Sequence, residues 1–223
     1  MQLNECFGDW LKVIDVKELN EALSKLSIIG KTKLIVPTYN DVFKAFTLCS
    51  LHDCKIIMLG QDPYPQKGVA TGVLFGNKEG TLQLSPSLEI IKEAAIDYGI
   101  PHPPIKFDIT LESWAKQGVL MLNSALTCEM NKVKSHTMIW RPFMGSFLHN
   151  LSNFSPGLVY VLFGDQAQTF EPYINKNINS IIKVHHPAYF ARTKTKMPHW
   201  VFTELNKMMV DSYGIPIKWY EEL

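Results

Sequence analysis

Four short, nearly unbroken apolar runs constrain this chain more than any other feature. They are Lys55-Ile-Ile-Met-Leu59, Val119-Leu-Met-Leu122, Leu158-Val-Tyr-Val-Leu-Phe163 and Ile181-Ile-Lys-Val184. A strand with one wet face alternates apolar and polar residues. These runs scarcely alternate, so both of their faces must be covered. Helical patterns lie between them. Ser87-Leu-Glu-Ile-Ile-Lys-Glu-Ala-Ala opens with a serine cap signal and carries Glu and Lys on its polar face. Residues 141–151 and 201–210 place apolar side chains at three- and four-residue spacing. Strands alternating with helices predict an α/β fold around a central parallel sheet of about four strands. No internal repeat, low-complexity segment or Gly/Ser linker divides the chain, so residues 1–223 read as one domain.

Composition excludes several classes. Apolar residues make up 46% and charged residues 19%, which fills a core and argues against a disordered chain. The formal net charge of +1 is too small for a protein that coats nucleic acid through bulk charge, so any contact with DNA must come from a local patch and main-chain amides. Cys6, Cys49, Cys54 and Cys128 form no CxxC pair and no zinc-finger spacing, and they read as reduced, buried thiols. The start, Met1-Gln2-Leu3-Asn4-Glu5, lacks a basic segment followed by an apolar one, and no apolar run reaches 18 residues. The expectation is a soluble monomer in a reducing, intracellular compartment, cytoplasmic or nuclear, with no membrane contact.

In open parallel sheets, ligands bind beyond the carboxyl ends of the strands. The four runs are followed by Gly60-Gln61-Asp62-Pro63-Tyr64, Asn123-Ser124, Gly164-Asp165 and His185-His186-Pro187. Singly these are ordinary. Asp62 before Pro63 reads as a turn aspartate, Asn123 as a strand end, and His186 as a surface histidine before proline. Their common position at one sheet edge is the stronger observation, because a structural loop does not require Asp, Asn and His to gather there.

Gly60-Gln61-Asp62-Pro63-Tyr64 resembles the GQDPY motif of family 1 uracil-DNA glycosylases. Phe75 stands thirteen residues beyond Asp62, where that family places the phenylalanine that stacks on uracil. Trp114-Ala-Lys-Gln-Gly-Val-Leu-Met-Leu-Asn123 is similar to its WAxQGVLLLN segment, and His186-Pro187 to the start of its HPSPL loop. Similarity extends to residues 40–46, Ser135-His136 and Pro216-Ile-Lys-Trp219, so the match runs from about residue 37 to the C-terminus in the expected order.

The resemblance implies a uracil-DNA glycosylase that flips deoxyuridine out of DNA and hydrolyses its N-glycosidic bond. It implies catalytic roles for Asp62, which orients water and stabilises a sugar cation, and for His186, which donates a hydrogen bond to the departing uracil anion. Gln61, Tyr64, Phe75 and Asn123 would bind the base. The amide of Asn123 offers the donor and acceptor that uracil needs, and Tyr64 fills the space of a thymine methyl. Pro86, Ser87, Gly164, Phe190 and Arg192 would contact DNA, Phe190 as the apolar wedge that enters the base stack and Ser87 both as helix cap and as phosphate ligand. Neither a metal nor an organic cofactor is expected. The implied partners are uracil-containing DNA and a proteinaceous inhibitor of such enzymes.

The chain also departs from the family pattern. Pro65 replaces a histidine after the motif, Asp165 replaces the serine of a Gly-Ser loop, and Ala188, Tyr189 and Phe190 stand where serine, proline and leucine are usual. These changes bear on the grip on the DNA backbone and leave open an alternative, an inactive or weakly active DNA-binding module on the same fold. A small-molecule nucleotide hydrolase is disfavoured, because no GxGxxG, P-loop or GxSxG signature occurs.

Overall fold

The computed structural model describes residues 3–97, 99 and 101–223; Met1 and Gln2 of the N-terminal stretch read above lie outside them. Eight strands are present among the described residues: β1 (Ile35–Val36), β2 (Ile56–Gly60), β3 (Ile105–Lys106), β4 (Val119–Asn123), β5 (Cys128–Glu129), β6 (Val159–Phe163), β7 (Ser180–Val184) and β8 (Glu221–Glu222). The α-helices are α1 (Leu3–Phe7), α2 (Val16–Ile29), α3 (Lys44–Leu48), α4 (Pro86–Ile96), α5 (Glu112–Ala115), α6 (Thr137–Phe154), α7 (Gly164–Gln168), α8 (Pro187–Thr193) and α9 (Trp200–Tyr213).

The expected parallel sheet is present, with four strands in the order β4-β2-β6-β7. Each expected run lies within one residue of an observed strand. Successive side chains point to opposite faces, and both faces are covered. On one face Ile57, Leu59, Leu120, Leu122, Tyr160 and Leu162 pack with Trp140, Phe143 and Phe147 of α6. On the other Ile56, Met58, Val119, Met121, Val161 and Phe163 pack with Leu88 and Ile91 of α4 and Phe202 and Leu205 of α9. Covering both faces is what turns an alternating pattern into a continuous apolar run.

The N-terminal region carried no clear sequence signal, yet it folds into α1 and α2. Asp15 caps α2 by accepting hydrogen bonds from the main-chain nitrogens of Lys17 and Glu18. That helix buries Leu19, Ala22 and Leu26 against the α6 side of the sheet. Among the described residues, no helix is long and apolar enough to cross a membrane.

All four strands run the same way, so their carboxyl ends share one edge. Gly60 and Asn123 are register partners at the ends of β2 and β4. Phe163 and Val184 occupy the same position on β6 and β7. The segments that follow these residues form the site.

Candidate active site

A cavity of about 500 Å³ opens at this edge, lined by residues from all four strand ends. Gln61, Asp62, Tyr64, Phe75, Asn123 and His186 all face it. Close backbone approach makes this possible. A side chain at Gly60 would lie 2.3 Å from Leu74 Cδ1 and 3.3 Å from Asn123 Oδ1. Glycine at position 60 therefore lets Asn123 and the Leu74–Phe75 loop close over the end of β2. Gly164 has φ +80° and a Cβ there would stand 2.8 Å from the Cβ of His186. Only glycine meets both demands, so Gly164 sets how near His186 can come to the end of β6.

Asp62 is held through one oxygen. Its Oδ2 accepts hydrogen bonds from Gln61 Nε2 at 2.7 Å and from the main-chain nitrogen of Lys134 at 3.2 Å. Its Oδ1 is buried and has no hydrogen-bond partner. Burial raises the carboxyl above the ordinary aspartate range, against the pull of the two donors and of the Lys134 charge.

His186 is the N-cap of α8. Its Nδ1 accepts a hydrogen bond from the main-chain nitrogen of Ala188 at 3.2 Å. A ring nitrogen that accepts carries no proton, so the neutral imidazole bears its hydrogen on Nε2. Burial lowers its pKa to about 4, which keeps the ring neutral near pH 7. The site therefore pairs a carboxylate acceptor with a neutral N–H donor.

Phe75 supplies a ring wall. Its φ of +61° lies in the left-handed region that side-chain-bearing residues seldom adopt. Packing holds it there: the ring meets Phe163 and His186 edge-on at centroid distances of 5.2 and 5.6 Å, and its carbonyl accepts the Tyr64 hydroxyl at 3.1 Å. Burial raises the Tyr64 phenol well above its usual range, so it stays protonated. Asn123, at the tip of β4, is 8% exposed, and its Oδ1 has no hydrogen-bond partner. A buried acceptor without a partner, on a residue that lines a cavity, is a candidate recognition group.

The cavity thus holds a carboxylate, an amide, two rings and a neutral imidazole, from the segments that carried the motifs. The model of the family described as the uracil DNA glycosylase superfamily matches residues 46–209. This chain belongs to the uracil DNA glycosylase superfamily. It is 41% identical over 197 residues to a uracil-DNA glycosylase of Campylobacter jejuni strain 81-176, covering 87% of this chain and 83% of the relative. It is 35% identical over 190 residues to the uracil-DNA glycosylase of Buchnera aphidicola strain Tuc7, covering 84% and 85%. Among solved structures, a mimivirus UNG variant in complex with UGI superposes with a TM-score of 0.84 at 23% identity, over 98% of this chain and 90% of that one. The UNG of Nitratifractor salsuginis gives 0.64 at 21% identity, over 88% and 95%. At these identities the two structures establish the shared fold.

Against the expectations for a uracil DNA glycosylase superfamily member, two placements need correction. Phe190, expected as a wedge, is 7% exposed and packs into the core beside α4 and α9. The residue at the cavity mouth is Tyr189, 38% exposed, with His185 stacked on its ring at 4.5 Å and Phe190 edge-on at 5.4 Å. In the helical course of α8 consecutive residues point about 100° apart, and here Phe190 turns to the core while Tyr189 turns to the cavity. Ser87 is not the cap of α4: Ser85 occupies that position, Pro86 is the first helical residue, and Ser87 follows it inside the helix, buried and facing the cavity. Pro86 itself is exposed. Gly164 and Arg192 both line the cavity.

Sequence reasoning assigned no role to Lys134, which reaches Asp62 from 72 positions away. It also gave none to the buried Thr127–His136–Trp140 network, in which Thr127 Oγ1 accepts from Trp140 Nε1 at 2.7 Å and lies 2.9 Å from His136 Nδ1. The Ser135-His136 match was the available signal for both.

Proposed function

We propose that this chain is a family 1 uracil-DNA glycosylase, which flips deoxyuridine out of DNA and hydrolyses its N-glycosidic bond, releasing uracil and leaving an abasic site. The observation that carries the reading is the convergence of Asp62, Asn123 and His186 on one cavity.

The bond breaks toward an oxocarbenium-like sugar and a uracil anion, so catalysis needs a negative group near the sugar and a donor near the base. Asp62 serves the sugar side. Its unpaired Oδ1 is the acceptor available to orient water and to face the developing cation. His186 serves the base side: its Nε2–H donates to uracil O2 as negative charge builds there. A preorganised donor of this kind contributes about 3 kcal/mol to the transition state. Asn123 accepts from uracil N3–H through Oδ1 and donates to O4 through its amide nitrogen. Cytosine reverses that pattern and leaves buried partners unpaired. Phe75 stacks on the base, Tyr64 blocks the place of a thymine methyl, and Gln61 fixes Asp62 while its main chain borders the base.

Uracil-containing DNA is the partner. Ser87, Gly164 and Arg192, which line the cavity, and Pro86, next to Ser87 in the chain, contact the backbone of the flipped strand in this reading. Tyr189 takes the wedge role first assigned to Phe190. The mimivirus relative is in complex with UGI, and a proteinaceous inhibitor of that kind is the second proposed partner of this chain.

The test is incubation with an oligonucleotide holding a single deoxyuridine, followed by alkali. Strand scission at that position, and none at cytosine, is the expected result. An inactive DNA-binding module would bind the oligonucleotide without scission and would overturn the proposal.

A further inference from the structure

The second donor to Asp62 comes from the turn between β5 and α6, which is built with unusual constraint. Asn131 and Lys134 both have positive φ, +62° and +65°, a conformation that residues with side chains keep only when their surroundings enforce it. Ser135 Oγ knots the turn, accepting from the Glu129 nitrogen at 2.7 Å and donating to the Lys132 carbonyl at 2.8 Å. The Met130 nitrogen donates to the Leu34 carbonyl at 2.8 Å, next to β1. The turn then docks on the catalytic segment at two points: the Asn131 nitrogen donates to the Pro65 carbonyl at 2.9 Å, and the Lys134 nitrogen to Asp62 Oδ2 at 3.2 Å.

Occupying Oδ2 with two donors determines which oxygen stays free. We propose that residues 131–134 form a positioning element for the glycosylase reaction, in which the main-chain N–H of Lys134, together with Gln61, tethers Oδ2 and so fixes the Asp62 carboxylate in one orientation with Oδ1 unpaired. Lys134 is a positioning residue through its backbone, and its exposed cation at the cavity rim is a separate contribution to DNA binding. The proposal rests on the glycosylase reading above and adds to it the origin of the carboxylate's orientation.

Two substitutions at one position separate these contributions. Lys134→Pro removes the N–H and forbids positive φ, whereas Lys134→Gly keeps both and removes only the side chain. For Lys134→Pro, kcat on uracil-containing DNA is expected to fall at least ~10-fold, as small displacements of catalytic groups do. Its acid limb should move to higher pH, because a donor to the ionised carboxylate has gone. For Lys134→Gly, KM should rise, and kcat and acid limb should move in the same direction as in the proline variant but by less, because only the side-chain charge near Asp62 is lost. The titratable or charged groups near Asp62 are Cys128 on β5, Lys134 itself and, around the cavity, Tyr64, Asp165, His185, His186, Tyr189 and Arg192. The glycine variant controls for the lost lysine charge. If the proline variant does not fold, Ser135→Ala loosens the turn without touching the N–H and should shift kcat and acid limb the same way by less. Equal kcat and equal acid limbs in the proline and glycine variants, or an unaltered Ser135→Ala enzyme where the proline variant is unfolded, would overturn the positioning role. Failure of the wild-type chain to release uracil would instead overturn the reading beneath it.

Discussion

Burial acts on Asp62 and His186 in opposite directions and drives each toward its neutral form. It raises the carboxyl and lowers the imidazole to about 4. For His186 neutrality is useful, since the ring donates without first surrendering a proton. The depressed value also means that its contribution to folding is lost as pH falls from the unfolded value, about 6.5, toward 4. For Asp62 the raised value makes the ionised carboxylate a cost at pH 7, relieved only as pH falls through its folded pKa. Tyr64 shows a role set by shape. Tyr64→Ala is expected to release thymine from a thymine-containing oligonucleotide, which the parent chain leaves intact; no thymine release would count against the steric gate. Residue types at this scale were legible in the sequence through the family motifs, since singly Asp62, Asn123 and His186 read as ordinary. The tautomer of His186 and the free oxygen of Asp62 were not, since they depend on main-chain amides whose positions only the fold supplies.

Elements were legible where burial wrote a pattern. The strands β2, β4, β6 and β7 declared themselves because apolar side chains cover both of their faces. The helix α2 was not read from the sequence, although Asp15 caps it and Leu19, Ala22 and Leu26 recur at helical spacing, because no motif drew attention to it. The helix α8 shows a finer failure: a motif register selected Phe190, while helical geometry buries that ring and turns Tyr189 to the mouth. The two rings should therefore answer differently to substitution. Phe190→Ala is expected to lower stability by ~3 kcal/mol or more, as removal of a buried ring does. Tyr189→Ala should leave the urea midpoint near its parent value and lower excision from duplex DNA ~10-fold more than from single strands, the cost of one lost base–aromatic stack. A Tyr189→Ala variant with equal losses on both substrates would reject the wedge.

On the scale of the whole molecule, the site is a consequence of strand direction. Four parallel strands deliver their carboxyl ends to one edge, so residues separated by more than a hundred positions meet without any long-range signal in the sequence. The net charge of +1 shows how little of the DNA affinity is global. Arg192 and Lys134 line the cavity together with an acidic residue, Asp165, so binding must be local and modest in its dependence on salt. What the account claims above all is that a carboxylate and a neutral imidazole act on one extruded uracil. The most direct measurement is the single-turnover rate of uracil release by Asp62→Asn and His186→Ala beside the parent chain at pH 7, with thermal unfolding recorded for each. The account predicts a loss of at least ~100-fold in both, with Asp62→Asn unfolding no earlier than the parent because it lacks a buried charge. Near-parental rates in both folded variants would contradict it.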